Sequence, residues 1–127
     1  MTRLYHFPFT DNKGGGDKSS SSKYKNEKIM YQGEEFDSKK EFEYYLILKD
    51  REKRKEITQL SRQVPFEIQP DFVTPEGKKI RAILYYADFV YYENGIMHII
   101  DVKGFRTEVY KLKKKLLAYQ GYYIEEV

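Results

Sequence analysis

The chain has no cysteine. That excludes disulfides, thiol nucleophiles and zinc–thiolate sites together, and it fits a reducing cytoplasm. Histidine is scarce: His6 and His98 are the only two. No Ser–His–Asp arrangement and no glycine-rich phosphate loop is visible. No apolar run approaches the roughly 20 residues a membrane-spanning helix needs, and the N-terminus lacks an apolar stretch of secretory type. The mean hydropathy of −0.77 points the same way, so no membrane partner is expected. A surplus of one charge is missing from most of the chain. The net charge of +3 comes from residues 1–30, which hold six Lys/Arg and three Asp/Glu; residues 31–127 hold 17 of each. Any binding to nucleic acid must then use local basic patches rather than a polycationic body.

A length of 127 residues, 40% of them apolar, allows one domain with one core. Residues 1–27 read as a flexible, low-complexity tail, with Gly14-Gly15-Gly16 and Ser19-Ser20-Ser21-Ser22 at its centre. Its lysines either touch phosphates or are merely solvated, and Leu4, Tyr5, Phe7 and Phe9 are unusually apolar for such a segment. Residues 28–127 form the single folded domain. A short strand at 29–31 and a turn at Gln32-Gly33 lead to a helix over about 39–55, with Phe42, Tyr45 and Leu46 as its apolar stripe, broadened by Ile47 and Leu48. A β segment over 64–73 and a turn at Pro75-Glu76-Gly77-Lys78 follow. Residues 79–93 read as one long strand, Asn94-Gly95 as a two-residue hairpin turn, and 96–103 as the return strand. A helix over about 107–119 carries Val109, Leu112, Leu116 and Tyr119 on one face, and 122–127 reads as a last strand.

The hairpin serves as a ruler. With Asn94 and Gly95 as the loop, Glu93 opposes Ile96 and Asp88 opposes Asp101. Opposed side chains share a face with Cβ atoms about 4.5–5.5 Å apart. Lys103 falls on the same face, and His98 on the other, by the two-residue period of a strand. Two carboxylates facing each other among Ala87, Phe89, Val90, Ile99, Ile100 and Val102 must be compensated. One can keep its proton, Lys103 can neutralise the pair, or a divalent metal can sit between them. The metal reading suits Mg²⁺, which takes one or two carboxylates and keeps waters; the backbone of Val102 could add an oxygen and Lys103 could orient a water or stabilise charge on a phosphate. The plainer alternative is a salt bridge at a solvated sheet end. Glu41 is either the N3 member of a capping box begun by Ser38 or a further acid of the site. Arg106 precedes, and Lys111, Lys113, Lys114 and Lys115 crowd, the second helix. That is either a solvated face or a phosphate-contact surface, with Arg106, Tyr110, Lys111 and Lys114 as the candidate DNA-binding residues.

Asp88 followed by Asp101-Val102-Lys103 resembles the signature of the PD-(D/E)xK nuclease superfamily. A closer resemblance, over about 23–127, is to a small phage-encoded family catalogued as a domain of unknown function, through Phe36-Asp37-Ser38-Lys39-Lys40-Glu41, Tyr86-Ala87-Asp88-Phe89, Asp101-Val102-Lys103-Gly104 and Tyr110-Lys111-Leu112-Lys113. Ala87 stands where the signature names Pro, and the third acid is Asp101 rather than Glu. The resemblance implies an α/β fold with a restriction-endonuclease-like core in the order helix, three strands, helix, strand and a mixed central sheet. It implies Asp88 and Asp101 as metal ligands, with Val102 and Glu41 completing the set, the latter through a water. Glu41, Asp88, Asp101 and Lys103 would be catalytic. It implies Mg²⁺, with Mn²⁺ able to substitute, and branched DNA such as Holliday junctions as substrate in phage recombination or replication. A homodimer in the cytoplasm of a bacterial host goes with that reading. The alternatives are a DNA-binding or assembly protein that keeps the fold without catalysis, and an enzyme active only within a larger complex.

Overall fold

The computed structural model describes residues 27–127, so nearly all of the expected tail lies outside the described residues. β1 (Ile29–Tyr31) and β2 (Glu34–Phe36) form a small antiparallel ribbon joined by Gln32-Gly33, both with positive φ. α1 follows over Lys39–Lys53. Ser38 opens it in extended backbone, its hydroxyl accepting the Glu41 N–H at 3.1 Å. β3 (Thr58–Gln69), β6 (Ile83–Glu93), β7 (Ile96–Asp101) and β8 (Ile124–Glu126) make the central sheet, in the order β3-β6-β7-β8. β7 and β8 are parallel and the other pairs antiparallel, so the sheet is mixed. β4 (Phe72–Val73) and β5 (Lys79–Ile80) form a separate ribbon, and α2 spans Glu108–Tyr119 with Thr107 as its cap. The four-stranded core runs helix, three strands, helix, strand, in the order expected. Among the described residues no helix is long and apolar enough to cross a membrane.

The Asn94-Gly95 turn has φ of 55° and 78°, the left-handed pair a tight hairpin needs, and Glu93 opposes Ile96 as the ruler required. Other boundaries moved. The first β segment begins at Thr58, not Val64, because Ser61-Arg62-Gln63 pairs with β6 although its polar residues show no strand alternation. Pro65 is tolerated because β3 is an edge strand, and Pro70, which has no N–H, lies just past its end. The single strand expected over 79–93 is divided at Arg81-Ala82, where the chain leaves the β4–β5 ribbon for the sheet. β7 stops at Asp101 rather than 103, and β8 starts at Ile124 rather than 122.

The sheet is sandwiched between the helices. Tyr110 and Leu117 of α2 pack with Phe66, Tyr85, Ala87, Val90, Ile99 and Ile124. Leu48 of α1 packs with Ile57, Phe89, Tyr91 and Ile100 on the other side. α1 meets the sheet with part of its expected stripe, Tyr45 and Leu48, whereas α2 turns a different face to it from the one its apolar residues suggested. In α1, Leu46 and Ile47 point outward and Leu48 is fully buried. In α2, Leu112, Leu116 and Tyr119 are 47%, 37% and 91% exposed while Tyr110 and Leu117 are buried. The aromatic Tyr110 and the long side chains of Lys113 and Lys114 cover the sheet with their stems and keep their polar ends engaged.

Candidate active site

Side-chain alternation along β6 slips at one position. Tyr85 and Ala87 belong to the α2 side of the sheet, yet Phe89 and Tyr91 belong to the α1 side and Val90 to the α2 side. Strict period two would have kept residues 85, 87, 89 and 91 together. The slip falls at Asp88, between the registered pairs Val64↔Ala87 and Arg62↔Phe89. Gln63, between Arg62 and Val64, has φ of 50°, a strained value for a residue with a side chain. Asp88 therefore sits where side chains change sides of the sheet, while the β3–β6 register stays in step.

The β6–β7 ladder ends next to it, at Phe89↔Ile100. Asp88 and Asp101 are not among the paired residues of that ladder. Instead the Val102 N–H donates to Asp88 Oδ2 at 2.8 Å. The Asp88 and Asp101 carboxyls still act on each other. Burial raises the Asp88 pKa to about 8, with the hydrogen bond and charge of Asp101 and the charge of Glu41 adding to it, against the Val102 N–H. Asp101 is buried, and Lys103 Nζ stands 2.9 Å from its Oδ2. That contact is an ion pair without hydrogen-bond geometry, so Oδ2 remains a buried oxygen with no donor aimed at it. Two of the three expected compensations have a physical basis here: the raised pKa of Asp88, which favours its protonated form, and the charge of Lys103 beside Asp101.

Lys103 is itself held. Its ammonium sits 3.6 Å from the centre of the Tyr110 ring, a cation–π contact. Its N–H donates to the Val127 carbonyl, extending the β7–β8 pairing, and its own carbonyl accepts from Lys40 Nζ at 3.1 Å. The last contact ties the loop after β7 to the start of α1. The Tyr85 hydroxyl is buried near Asp101 with no hydrogen bond of good geometry, and burial followed by the charge of Asp101 raises its pKa.

Glu41 is both cap and site residue. Its Oε1 accepts the Asp37 N–H at 3.2 Å, and only 3% of the residue is exposed. Burial raises its pKa, opposed by the Asp37 N–H and the Arg62 charge. Its Oε2 receives Arg62 Nη2 and Gln63 Nε2, both at 3.5 Å, and the same Gln63 nitrogen lies 3.4 Å from Asp88 Oδ1. A side-chain amide, that of Gln63, links the first helix to Asp88. Glu41 does not join the carboxylate pair directly, and among the described residues no three His, Asp or Glu side chains converge closely enough to hold a metal ion. Arg62 stacks 3.8 Å from the centre of the Phe36 ring. Beside Gln63, Arg62 and Tyr45, Lys49, Leu60 and Glu34 complete the wall of an open cavity of about 510 Å³.

Three of the four expected DNA-binding residues, Arg106, Tyr110 and Lys114, are brought together, but around an acid. Arg106 donates to Glu126 Oε1 at 2.8 and 2.6 Å, while the Tyr110 hydroxyl and Lys114 Nζ reach Oε2 at 2.7 and 2.9 Å. The hydrogen bonds from Arg106, Lys114 and Tyr110 hold the Glu126 pKa down, to about 2. Tyr110 is buried, so its place is under Lys103 and not at an open surface. Lys111 pairs with Glu108 at 3.2 Å. Lys113 gives a hydrogen bond to the Leu84 carbonyl, and burial lowers its pKa to about 8. His98, on the face away from Asp101, stacks on Tyr91 and contacts Glu125 at 2.6 Å.

Gln63, Arg62, Tyr85 and Glu126 were not legible as site residues. Gln63 lies opposite Asp88 only through the β3–β6 register, which no turn between those strands fixes. A family model describing a protein of unknown function (DUF1064) matches residues 21–126, which include every residue of this cluster. The chain belongs to that family. No curated protein and no solved structure matches the chain. Membership carries no activity with it, so function has to be argued from the acid pair and its surroundings.

Proposed function

We propose that this chain is a metal-dependent endodeoxyribonuclease, its site built on Asp88, Asp101 and Lys103 in a restriction-endonuclease-like core. The observation that carries the reading is the pair of carboxyls that act on each other at the end of the β6–β7 ladder, with a lysine on the same side and a buried Asp101 oxygen that lacks a donor. Mg²⁺ uses one or two protein carboxylates and leaves its remaining positions to water and phosphate, so these two acids, one of which has a buried oxygen without a hydrogen bond, are a donor set of the right chemistry. Asp88 and Asp101 would hold the ion. Bound there, Mg²⁺ or Mn²⁺ supplies Lewis-acid polarisation of a phosphodiester and a water nucleophile at neutral pH.

The chain's own residues have separate tasks. Asp88 must release its proton before it can serve as a ligand, and the Val102 N–H steadies the carboxylate that forms. Lys103, held over the Tyr110 ring beside Asp101, places a positive charge where the pentavalent phosphate gathers negative charge. Glu41 and Gln63 set the distance between the first helix and Asp88. Gln63, which contacts Asp88, also lines the open cavity walled by Glu34, Tyr45, Lys49, Leu60 and Arg62. Branched DNA is the substrate class that the resemblance to junction-resolving phage nucleases suggests.

The test is cleavage of a panel of four-way junctions, flaps, single strands and duplex in Mg²⁺, with Lys103→Ala as the control. We expect cutting that needs the cation and falls by at least 100-fold in the variant. Equal cutting by Lys103→Ala would remove the assignment of that residue. A second reading, a DNA-binding or assembly protein without catalysis, is favoured by the Lys103–Asp101 pair and the raised Asp88 pKa, which together neutralise the acids with no ion. Titration calorimetry with Mg²⁺ and Mn²⁺ separates the two: heat in the wild type that is lost in Asp88→Ala supports the nuclease, and none in either supports the second reading.

A further inference from the structure

Among the described residues three buried side-chain polar atoms have no hydrogen bond: Arg62 Nε, the Tyr85 hydroxyl and Asp101 Oδ2. Two of the three belong to one place. Tyr85 is only 5% exposed, and its ring packs against Phe66 and Tyr110, with centres 6.5 and 6.3 Å apart. The Tyr110 ring is also the one under the Lys103 ammonium, which stands 2.9 Å from Asp101 Oδ2. Tyr110 places its own hydroxyl on Glu126 at 2.7 Å. Tyr85 has no such acceptor. After burial, the charge of Asp101 does most to raise its pKa, so the phenol keeps its proton and can only donate to that carboxylate. A phenylalanine would fill the same space without burying a hydroxyl, and buried tyrosine hydroxyls usually have a partner.

We propose that Tyr85 is a positioning residue, a reserve donor that takes over Asp101 when Lys103 turns from that carboxylate to a phosphate. The role rests on the nuclease reading, which supplies the event that draws Lys103 away. Lys103 is one cation with two demands on it. Beside Asp101 it compensates a buried carboxylate. In cleavage the same charge is needed at the phosphate. Withdrawing it leaves a buried charge without a partner, which is strongly unfavourable. A second donor beside the same carboxylate lifts that obstacle. The Tyr85 hydroxyl is buried there with no other engagement, and its hydrogen turns about the C–O bond while the packed ring stays in place.

A double-mutant cycle on the full chain tests it, by thermal unfolding at constant pH with a chelator present. Tyr85→Phe removes the hydroxyl and keeps the ring. With Lys103 in place it should leave the melting temperature unchanged or slightly higher, because an unpartnered buried hydroxyl stabilises nothing. In the Lys103→Met background the same change should lower it by about 5–15 °C, because the hydroxyl is then the donor to a buried carboxylate. If Lys103→Met does not fold, Lys103→Gln takes its place in the cycle. Equal effects of Tyr85→Phe in the two backgrounds overturn the proposal, whether or not the protein cuts DNA. Cleavage gives the second readout: Tyr85→Phe alone should lower kcat by about 10–100-fold and leave KM for DNA unchanged. An unchanged kcat, in a wild type that cuts, overturns the role of Tyr85 and leaves the nuclease reading standing. A wild type that cuts nothing in Mg²⁺ or Mn²⁺ overturns the nuclease reading instead, and the cycle still decides whether Tyr85 is the second donor to Asp101.

Discussion

Replacing Asp88 by Asn should make the protein more stable at alkaline pH while removing a residue its proposed chemistry needs. The carboxyl has an ordinary pKa of 3.8 and is raised to about 8 in the fold, chiefly by burial and then by Asp101. A folded-state pKa above the unfolded value means that the native protein holds a proton which the unfolded chain releases between those two values. Stability is therefore intact with respect to this group below pH 4 and declines as pH rises toward 8. Four pH units at about 1.4 kcal/mol each set an upper bound near 6 kcal/mol; partial access of water to the site brings the expected penalty to roughly 2–4 kcal/mol. Asn mimics the protonated carboxyl, accepting from the Val102 N–H and donating toward Asp101, without any charge to desolvate. Thermal unfolding by circular dichroism, with a chelator present, should show little difference between wild type and variant at pH 4. At pH 8.5 the variant should melt about 10–20 °C higher, given the sensitivity of a domain near 100 residues. Mg²⁺ should narrow that gap by stabilising only the wild type. A difference that does not change with pH, or a variant less stable than the wild type at pH 8.5, would refute the reasoning.

Glu126→Gln removes the charge that Arg106 and Lys114 now neutralise. Binding of DNA measured by fluorescence anisotropy should tighten several-fold at low salt and show a steeper salt dependence, and unchanged affinity would place those cations away from the nucleic acid. Below pH 4.5 the wild type should approach the variant in stability, because the depressed pKa of Glu126 contributes above its ordinary value and is lost as pH falls toward 2. The two faces of α2 should differ sharply under truncation. Leu117→Ala, in the core at 1% exposure, should cost about 2–5 kcal/mol in denaturant unfolding, and Leu112→Ala, at 47% exposure, less than about 1 kcal/mol in the monomer.

Local signals in the chain determined whatever depends on neighbours in sequence. Asn94-Gly95 set the hairpin and its register, because only residues tolerant of positive φ make that turn. Ser38 and Glu41 set the start of α1, and Thr107 that of α2, through side chains that satisfy free helix N–H groups. The ruler holds only as far as Phe89↔Ile100, one pair short of Asp88 and Asp101. Tertiary structure decided the rest. Which face of α2 meets the sheet depended on the shape that Tyr110, Lys113 and Leu117 make against β6, not on where its leucines fall. Gln63 meets Asp88 and Glu41 because β3 comes alongside β6 from a distant part of the chain and both strands slip together, and no turn between them announces that register. Arg106, Tyr110 and Lys114 gathered on Glu126 because a parallel strand brought a lone acid into a ring of donors, a meeting that charge counting along the sequence has no means to foresee.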